Sequence, residues 1–287
     1  MMSARFLTVV LERAFNMRDG FGREIDYMRI SVIDSCNLNC YYCNPCDNNE
    51  HCHALNILSV KEVLCIVRAA TRLGIKHFRL TGGEPLLHPQ LDEMVLQIKK
   101  IPGVSSVSLT TNAVLLAQHA KWLKEAGIDS INVSLDTIDA SEYERITKKP
   151  LLEEVKHGIN AAIECGIRVK INVVLTPQTD VVALTRYVAK KGTDIRFIEM
   201  MPVGEGHTNG VEPYKKVIGT LSKLYGEPCR INTEKTKEIN SGNDKRKIPD
   251  NGPAEYYIFP ELGIRVGLIQ AIHGKFCDTC NRIRVTA

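Results

Sequence analysis

The segment VKEVLCIVRAATRLGIKHFRLTGGEP, residues 60–85, contains one complete change of periodicity. From 60 to 73 apolar residues recur at helical spacing, Gly74 follows, and a β-rich run over 75–80 leads into Gly82-Gly83-Glu84-Pro85. Gly74 stands where a helix ends most cheaply in a left-handed conformation. The Gly-Gly pair puts exposed backbone at the end of a strand, where a ligand approaches closely. The segment therefore reads as a helix feeding one strand of an α/β fold, with a ligand-facing rim after that strand.

The same unit recurs along the chain. β-rich runs at 28–33, 75–80, 104–110, 128–135, 167–175 and 195–200 alternate with helical patterns at 60–73, 91–101, 115–126, 151–164 and 181–190. Gly127 and Gly166 end two further helices as Gly74 ends the first. Six β/α units predict a parallel sheet, because parallel neighbours need a crossover helix. Periodicity leaves open whether that sheet is doubly wound or curls toward a barrel, and both forms bind ligands at the carboxyl ends of the strands. Beyond residue 204 the pattern changes: a helix near 214–224, a polar basic stretch over 232–247, runs at 255–259 and 263–269 that read as an antiparallel hairpin, and a tail from 273. The expected organisation is an extension over 1–17, the β/α region over 18–204 and a distinct C-terminal region over 205–287.

Composition limits the function. At 44% apolar and 24% charged residues over 287 positions, the chain has the make-up of a folded protein and not of a disordered or collagenous one. Its net charge of +4 is too small a surplus to indicate a nucleic-acid or membrane partner, and it leaves an anionic small substrate open. The early apolar run at 6–11 is interrupted by Thr8 and closed by Glu12, too short for a secretory segment or a membrane span, so a cytoplasmic location is expected. Ten cysteines are too few for a disulfide scaffold, and their concentration in short motifs points to metal chemistry in a reducing compartment.

Cys36, Cys40 and Cys43 form C-x3-C-x2-C just after the first strand, on a loop rich in Asp and Asn. The spacing leaves two readings open. One is a structural zinc site completed by Cys46, Cys52 or His53; the other is an iron–sulfur cube held by three thiolates with one iron free for an outside ligand. The Gly-Gly-Glu-Pro rim on the adjacent strand favours the second. Residues 44–56 read as a loop beside the metal site, and Cys65 and Cys165, within helical patterns, as small core residues. Arg29, Lys170 and Arg196 interrupt strands with apolar flanks, where an unpaired charge is costly.

C-x3-C-x2-C after strand one with Gly-Gly-Glu-Pro after strand two resembles the radical S-adenosylmethionine (SAM) superfamily. Further segments narrow the resemblance: Tyr27-Met28-Arg29-Ile30-Ser31 before the cysteines, Thr110-Thr111-Asn112, Val133-Ser134-Leu135-Asp136, Arg196-Phe197-Ile198-Glu199-Met200-Met201-Pro202, and Phe276-Cys277-Asp278-Thr279-Cys280-Asn281-Arg282-Ile283-Arg284. In this order they are similar to the GTP 3′,8-cyclase family of molybdenum cofactor biosynthesis. The resemblance implies a partial (β/α)6 TIM-like barrel of the radical SAM type, with a C-terminal hairpin and a cluster-binding extension. It implies a 4Fe-4S cluster on Cys36, Cys40 and Cys43, and SAM held by Tyr42, Gly82, Gly83, Glu84, Ser134 and Met201. It implies GTP held by Arg29, Arg79, Thr110, Lys170, Arg282 and Arg284, with Arg196 a further candidate, and a second 4Fe-4S cluster on Cys277 and Cys280. An electron donor that the sequence does not identify and a homodimeric state are also implied.

The chain departs from the family pattern at three places. Ala113 follows Thr-Thr-Asn where glycine is usual, and Ser35 replaces an arginine before the first cysteine. The family carries a third cysteine and two glycines past the point where this sequence ends, at Ala287, so the natural chain is expected to continue. The competing expectations are a radical SAM paralogue acting on another substrate such as a peptide, an inactive homologue, and a zinc-stabilised binding module.

Overall fold

Apolar and polar residues alternate along the parallel strands, and in the computed structural model this alternation becomes the two faces of one sheet. The structure describes residues 17–43, 56–201, 213–231, 254–273 and 280–286. In chain order the elements are β1 (Tyr27–Ser31), α1 (Val60–Arg72), β2 (His77–Thr81), α2 (Leu91–Lys99), β3 (Ser106–Thr111), α3 (Leu116–Glu125), β4 (Ser130–Ser134), α4 (Ala140–Thr147), α5 (Leu152–Glu164), β5 (Val169–Leu175), α6 (Val181–Lys190), β6 (Asp194–Glu199), α7 (Pro213–Tyr225), β7 (Cys229–Ile231), β8 (Glu255–Ile258), β9 (Arg265–Ile269) and β10 (Arg282–Val285).

The ten strands lie in the order β10-β1-β2-β3-β4-β5-β6-β9-β8-β7. All neighbours from β10 to β9 run parallel, and β9-β8 and β8-β7 are antiparallel. Among the described residues the outer strands do not pair with each other, so the barrel is partial at most and does not close. The hairpin read from 255–269 is present as β8 and β9. What the local pattern did not indicate is that β9 extends the parallel sheet beyond β6, and that β10 adds to the opposite edge, beside β1.

Register carries the apolar positions in unbroken rows across the sheet. Ile30, Leu80, Leu109, Ile131 and Val169 form one row, and Val173, Phe197 and Leu268 part of another, each at most 3% exposed. The helices cover this face with their own stripes, such as Val63, Val67 and Ala70 of α1 and Leu91, Met94, Val95 and Ile98 of α2. Burying one such large side chain contributes roughly 1.5–3 kcal/mol. The stripe on α1 corrects the expectation for Cys65. Two residues from Val63, it points away from the sheet and is exposed. Cys165, at the end of α5, is half-buried against the core.

Gly74, Gly127 and Gly166 all take positive φ after their helices, as expected. Ala113 also takes φ 65° and is fully buried, which explains why glycine is usual there. Ala113→Gly removes left-handed strain of about 1 kcal/mol and a buried methyl of similar value, so the two nearly cancel. Ala113→Val puts a β-branched residue into the same backbone. Urea unfolding is expected to show stability within about 1 kcal/mol of the parent for glycine, and a loss of at least about 2 kcal/mol for valine. Equal stability for both variants would show that residue 113 relaxes out of the left-handed region.

Candidate active site

The cysteine loop leaves β1 and is clamped by backbone hydrogen bonds from the next strand. Val32 N donates to Thr81 O (2.8 Å), Gly83 N to Ile33 O (2.7 Å) and Glu84 N to Ser35 O (2.8 Å). The clamp needs glycine: a Cβ on Gly82 would lie 2.3 Å from Ile33 O, and one on Gly83 2.2 Å from Ser35 O. From the other side, Asn39 N and Tyr41 N donate to Thr147 O and Ile146 O, at the carboxyl end of α4. That helix was not read from the sequence, because eight residues with few apolar positions carry little periodicity. Its signal was Asp139 three residues before Glu142, and Asp139 caps it by accepting from Glu142 N (2.8 Å).

Side chains complete the frame. Glu84, 1% exposed, accepts from Leu86 N (3.0 Å), Thr111 Oγ1 (2.6 Å) and Asn112 N (2.7 Å), tying the ends of β2 and β3 together. Burial raises its carboxyl above the ordinary range despite these donors. Asn112 Nδ2 then reaches Asn37 Oδ1 (2.7 Å) and lies 3.8 Å from Cys36 Sγ. The Tyr42 hydroxyl donates to Asp136, whose other oxygen accepts from Val174 N (2.7 Å). Burial pushes Asp136 up to about 6. At the end of β6, Glu199 accepts from Ile272 N (2.8 Å) and pairs with the His273 ring.

Cys36 and Cys43 are exposed on this loop and Cys40 is half-buried. Burial, then the carboxylate of Asp136, pushes Cys40 up to about 12, and burial raises the other two thiols as well. Their deprotonation therefore calls for a bound cationic centre. No three Cys, His, Asp or Glu side chains among the described residues converge tightly enough for a single ion. Three thiols on one loop suit a cube, which takes each thiolate on a different iron. Cys46, Cys52 and His53 lie outside the described residues.

The polar face of the sheet is the second part of the site. Arg284, Arg29, Arg79 and Ser108 align across β10, β1, β2 and β3; Thr110, Asn132 and Lys170 align across β3, β4 and β5; and Asn172 aligns with Arg196. Arg282 stands opposite Tyr27, whose ring lies under both Arg282 and Arg79 at 5.8 and 5.5 Å. Arg79 Nε donates to Ser108 Oγ (3.0 Å) and Arg196 Nε to Asn172 Oδ1 (2.9 Å). Lys170 sits over the Tyr256 ring at 5.9 Å. Burial, then Arg79, with Arg284 and Arg282 adding, pulls Arg29 down to about 10, so it stays cationic at neutral pH. Arg29 Nε, Thr110 Oγ1 and Asn132 Nδ2 are buried with no hydrogen-bond partner among the described residues. Polar atoms left so on one cationic face are suited to an anionic, oxygen-rich ligand.

The sequence-derived residues thus fall in two groups. Cys36, Cys40, Cys43, Tyr42, Gly82, Gly83, Glu84, Ser134 and Met201 lie at the carboxyl ends of the strands, with Ser134 and Met201 exposed. Arg29, Arg79, Thr110, Lys170, Arg196, Arg282 and Arg284 share the polar face. Cys280 is apart from the first group: Asn281 O accepts from Tyr27 N and Asn281 Nδ2 donates to Asp26 Oδ1 (2.6 Å), which places it at the amino end of β1. The five residues of β1, about 17 Å, lie between it and the Cys36 loop. Cys277, Pro202 and the basic stretch over 232–247 lie outside the described residues. Asn132 and Asp136 were not assigned a role from sequence, although the alternation Ser130-Ile131-Asn132-Val133-Ser134 put Asn132 on the polar face. A recess of about 340 Å³ bounded by Arg68, Arg72 and Lys100 lies on the helical side and contains none of these residues.

The family described as Radical SAM superfamily matches residues 30–184, and Molybdenum Cofactor Synthesis C matches residues 193–287. A GTP 3′,8-cyclase of Clostridium perfringens is 37% identical over 273 residues, covering 94% of this chain and 80% of that protein. One of Pelotomaculum thermopropionicum is 37% identical over 278 residues, covering 94% and 81%. Among solved structures, Streptococcus suis SuiB bound to S-adenosylmethionine superposes with a TM-score of 0.57 at 17% identity, over 69% of this chain and 47% of that one. The structure titled native anSMEcpe with bound AdoMet gives 0.56 at 19%, over 69% and 60%. At these identities the structural likeness is one of fold.

Proposed function

Because the chain belongs to the GTP 3′,8-cyclase family of the radical SAM superfamily, we propose that it converts GTP to (8S)-3′,8-cyclo-7,8-dihydroguanosine 5′-triphosphate in molybdenum cofactor biosynthesis. The observation that carries this reading is the cationic polar face, with its unpartnered Arg29 and Thr110 atoms, below a rim of three thiols.

A 4Fe-4S cluster with SAM, when bound, would supply the radical chemistry that removes the 3′ hydrogen of GTP before the sugar carbon joins C8 of the guanine. Cys36, Cys40 and Cys43 hold the cluster. Gly83 and Ser134 present backbone and hydroxyl to SAM at the rim, with Gly82 beside them and Met201 on the far side. Tyr42, braced by Asp136, faces the adenine. Glu84 acts by position, since three donors already occupy its carboxylate. Arg29, Arg79, Lys170, Arg196, Arg282 and Arg284 draw the triphosphate onto the polar face, and Thr110 donates to the nucleotide. Cys277 and Cys280 would supply two thiolates of a second cluster at the guanine end; Cys280 lies across the length of β1 from the Cys36 loop.

On this reading residues 18–204 form the radical SAM barrel with the cluster and SAM site, and 205–287 a C-terminal region with the hairpin and the second cluster motif, which adds Arg282 and Arg284 to the polar face through β10. The protein works in the cytoplasm as a homodimer, with an electron donor that is still to be identified. Among the described residues no helix is long and apolar enough to cross a membrane.

A triphosphate relieves the mutual repulsion around Arg29, so GTP stabilises the fold and guanosine does not. At a hundred times its dissociation constant a ligand adds about 2.7 kcal/mol. Thermal unfolding of the reconstituted chain is expected to shift upward with GTP and stay in place with guanosine at the same concentration. Arg29→Met is expected to weaken GTP binding about 10- to 100-fold, the value of a charged hydrogen bond. Guanosine binding as tight as GTP would remove the phosphate role from this face and favour a paralogue with another substrate.

A further inference from the structure

Asn132 is 1% exposed, lies mid-strand in β4, and its Nδ2 has no hydrogen-bond partner among the described residues. A buried amide in that state costs stability unless something outside the chain satisfies it. Its neighbour in register is Thr110, whose hydroxyl oxygen is also buried and unpartnered. Adjacent strands stand about 4.8 Å apart, so the two side chains offer polar atoms side by side on the polar face. Lys170 flanks Asn132 on the next strand. Ser134, at the rim, is two residues further along β4 on the same side, a rise of about 7 Å.

We propose that Thr110 and Asn132 form a cradle for the vicinal diol of the substrate's ribose, with Asn132 Nδ2 donating to one hydroxyl oxygen and Thr110 Oγ1 bonded to the other. The inference rests on the GTP reading and makes it more specific. Two neutral polar groups on neighbouring strands match two neutral hydroxyls on neighbouring carbons, while the phosphates engage the surrounding cations. The cradle lies one step below the rim, and a sugar held there by its hydroxyls turns its C3′ hydrogen, on the opposite face of the ring, away from the sheet. Asn132 is thus a positioning and specificity residue that selects ribonucleotides over deoxyribonucleotides.

The test is equilibrium binding of GTP, 2′-deoxyGTP and 3′-deoxyGTP to the anaerobically reconstituted full chain in the presence of SAM and without reductant. The parent is expected to prefer GTP over each deoxy analogue by about tenfold, the value of one hydrogen bond. Asn132→Leu, of similar shape and without the amide, is expected to lose the preference against one of the analogues. Its unfolding midpoint without nucleotide should be unchanged or higher, because a buried unsatisfied group has been removed. Asn132→Ala carries the same expectation for selectivity, should leucine not be accommodated. A parent indifferent to the loss of either hydroxyl overturns the cradle, as does a leucine or alanine variant that keeps the full preference. A lower midpoint with all three nucleotides weakened equally makes Asn132 a structural residue and also overturns it. Failure of the parent to bind GTP at all would instead remove the reading on which the cradle rests.

Discussion

Replacing Cys40 with alanine is expected to abolish reductive cleavage of SAM and remove the iron and sulfide held by the loop over 36–43. The loop offers three thiols on a frame fixed from both sides, by the Gly83 and Glu84 amides and by the end of α4. With one thiol removed, the cube has two protein ligands and an additional unprotected iron. Changes to residues that only touch metal ligands already reduce affinity or activity about 10- to 100-fold, so loss of a ligand is expected to exceed that range. Cys65→Ala is the matched control, because Cys65 is exposed on the helical side, off the buried stripe of α1. Iron and sulfide analysis with the visible absorbance of the reconstituted proteins reads the difference. Full cluster content in the Cys40 variant would show that the thiolates of this loop are not the ligands.

Gly83→Ala is expected to be almost as damaging, for a purely steric reason. The added Cβ would lie 2.2 Å from Ser35 O and 2.4 Å from Asp34 O, both backbone atoms of the cysteine loop. No side chain can rotate to relieve that contact, so the loop must move. The hydrogen bonds from Gly83 N to Ile33 O and from Glu84 N to Ser35 O are then lost. Overpacking of this kind costs about 1–3 kcal/mol and each of the two lost bonds about 0.5–1.5 kcal/mol, giving a destabilisation of roughly 2–6 kcal/mol. The shifted loop also displaces Cys36 from Asn112. Gly219→Ala, in α7 with nothing within 4 Å of the added methyl, is expected to be neutral or stabilising. Denaturant unfolding and cluster content together check the contrast. Parent-like cluster loading in Gly83→Ala would mean that the rim does not set the loop's position.

Local patterns made the β/α units legible, since helical stripes and terminal glycines are written within a dozen neighbouring residues. The cysteine motif and the Gly-Gly-Glu-Pro rim were equally local. Pairing between distant segments was not. Arg282-x-Arg284 could be recognised as basic, yet its placement beside Arg29 depends on β10 joining the edge of β1, a contact across most of the chain. Asn132 was visible as a polar position in an alternating strand, but its significance comes from its missing partner, which only packing reveals. Asp136 belonged to a recognised motif, and its bond to Tyr42 bridges two segments that sequence cannot bring together. The misplacement of Cys65 has a simpler cause. Membership in a helix does not by itself imply burial; phase relative to Val63 and Val67 decides it.

In the proposed function a radical formed at the cysteine rim acts on a nucleotide seated on the cationic face beneath it. The most direct measurement incubates the anaerobically reconstituted chain with SAM, a reductant and GTP carrying deuterium at C3′, and follows 5′-deoxyadenosine by mass spectrometry. 5′-Deoxyadenosine is expected to form faster with GTP and to carry the deuterium. Unlabelled 5′-deoxyadenosine, formed at the same rate with and without GTP, would contradict it.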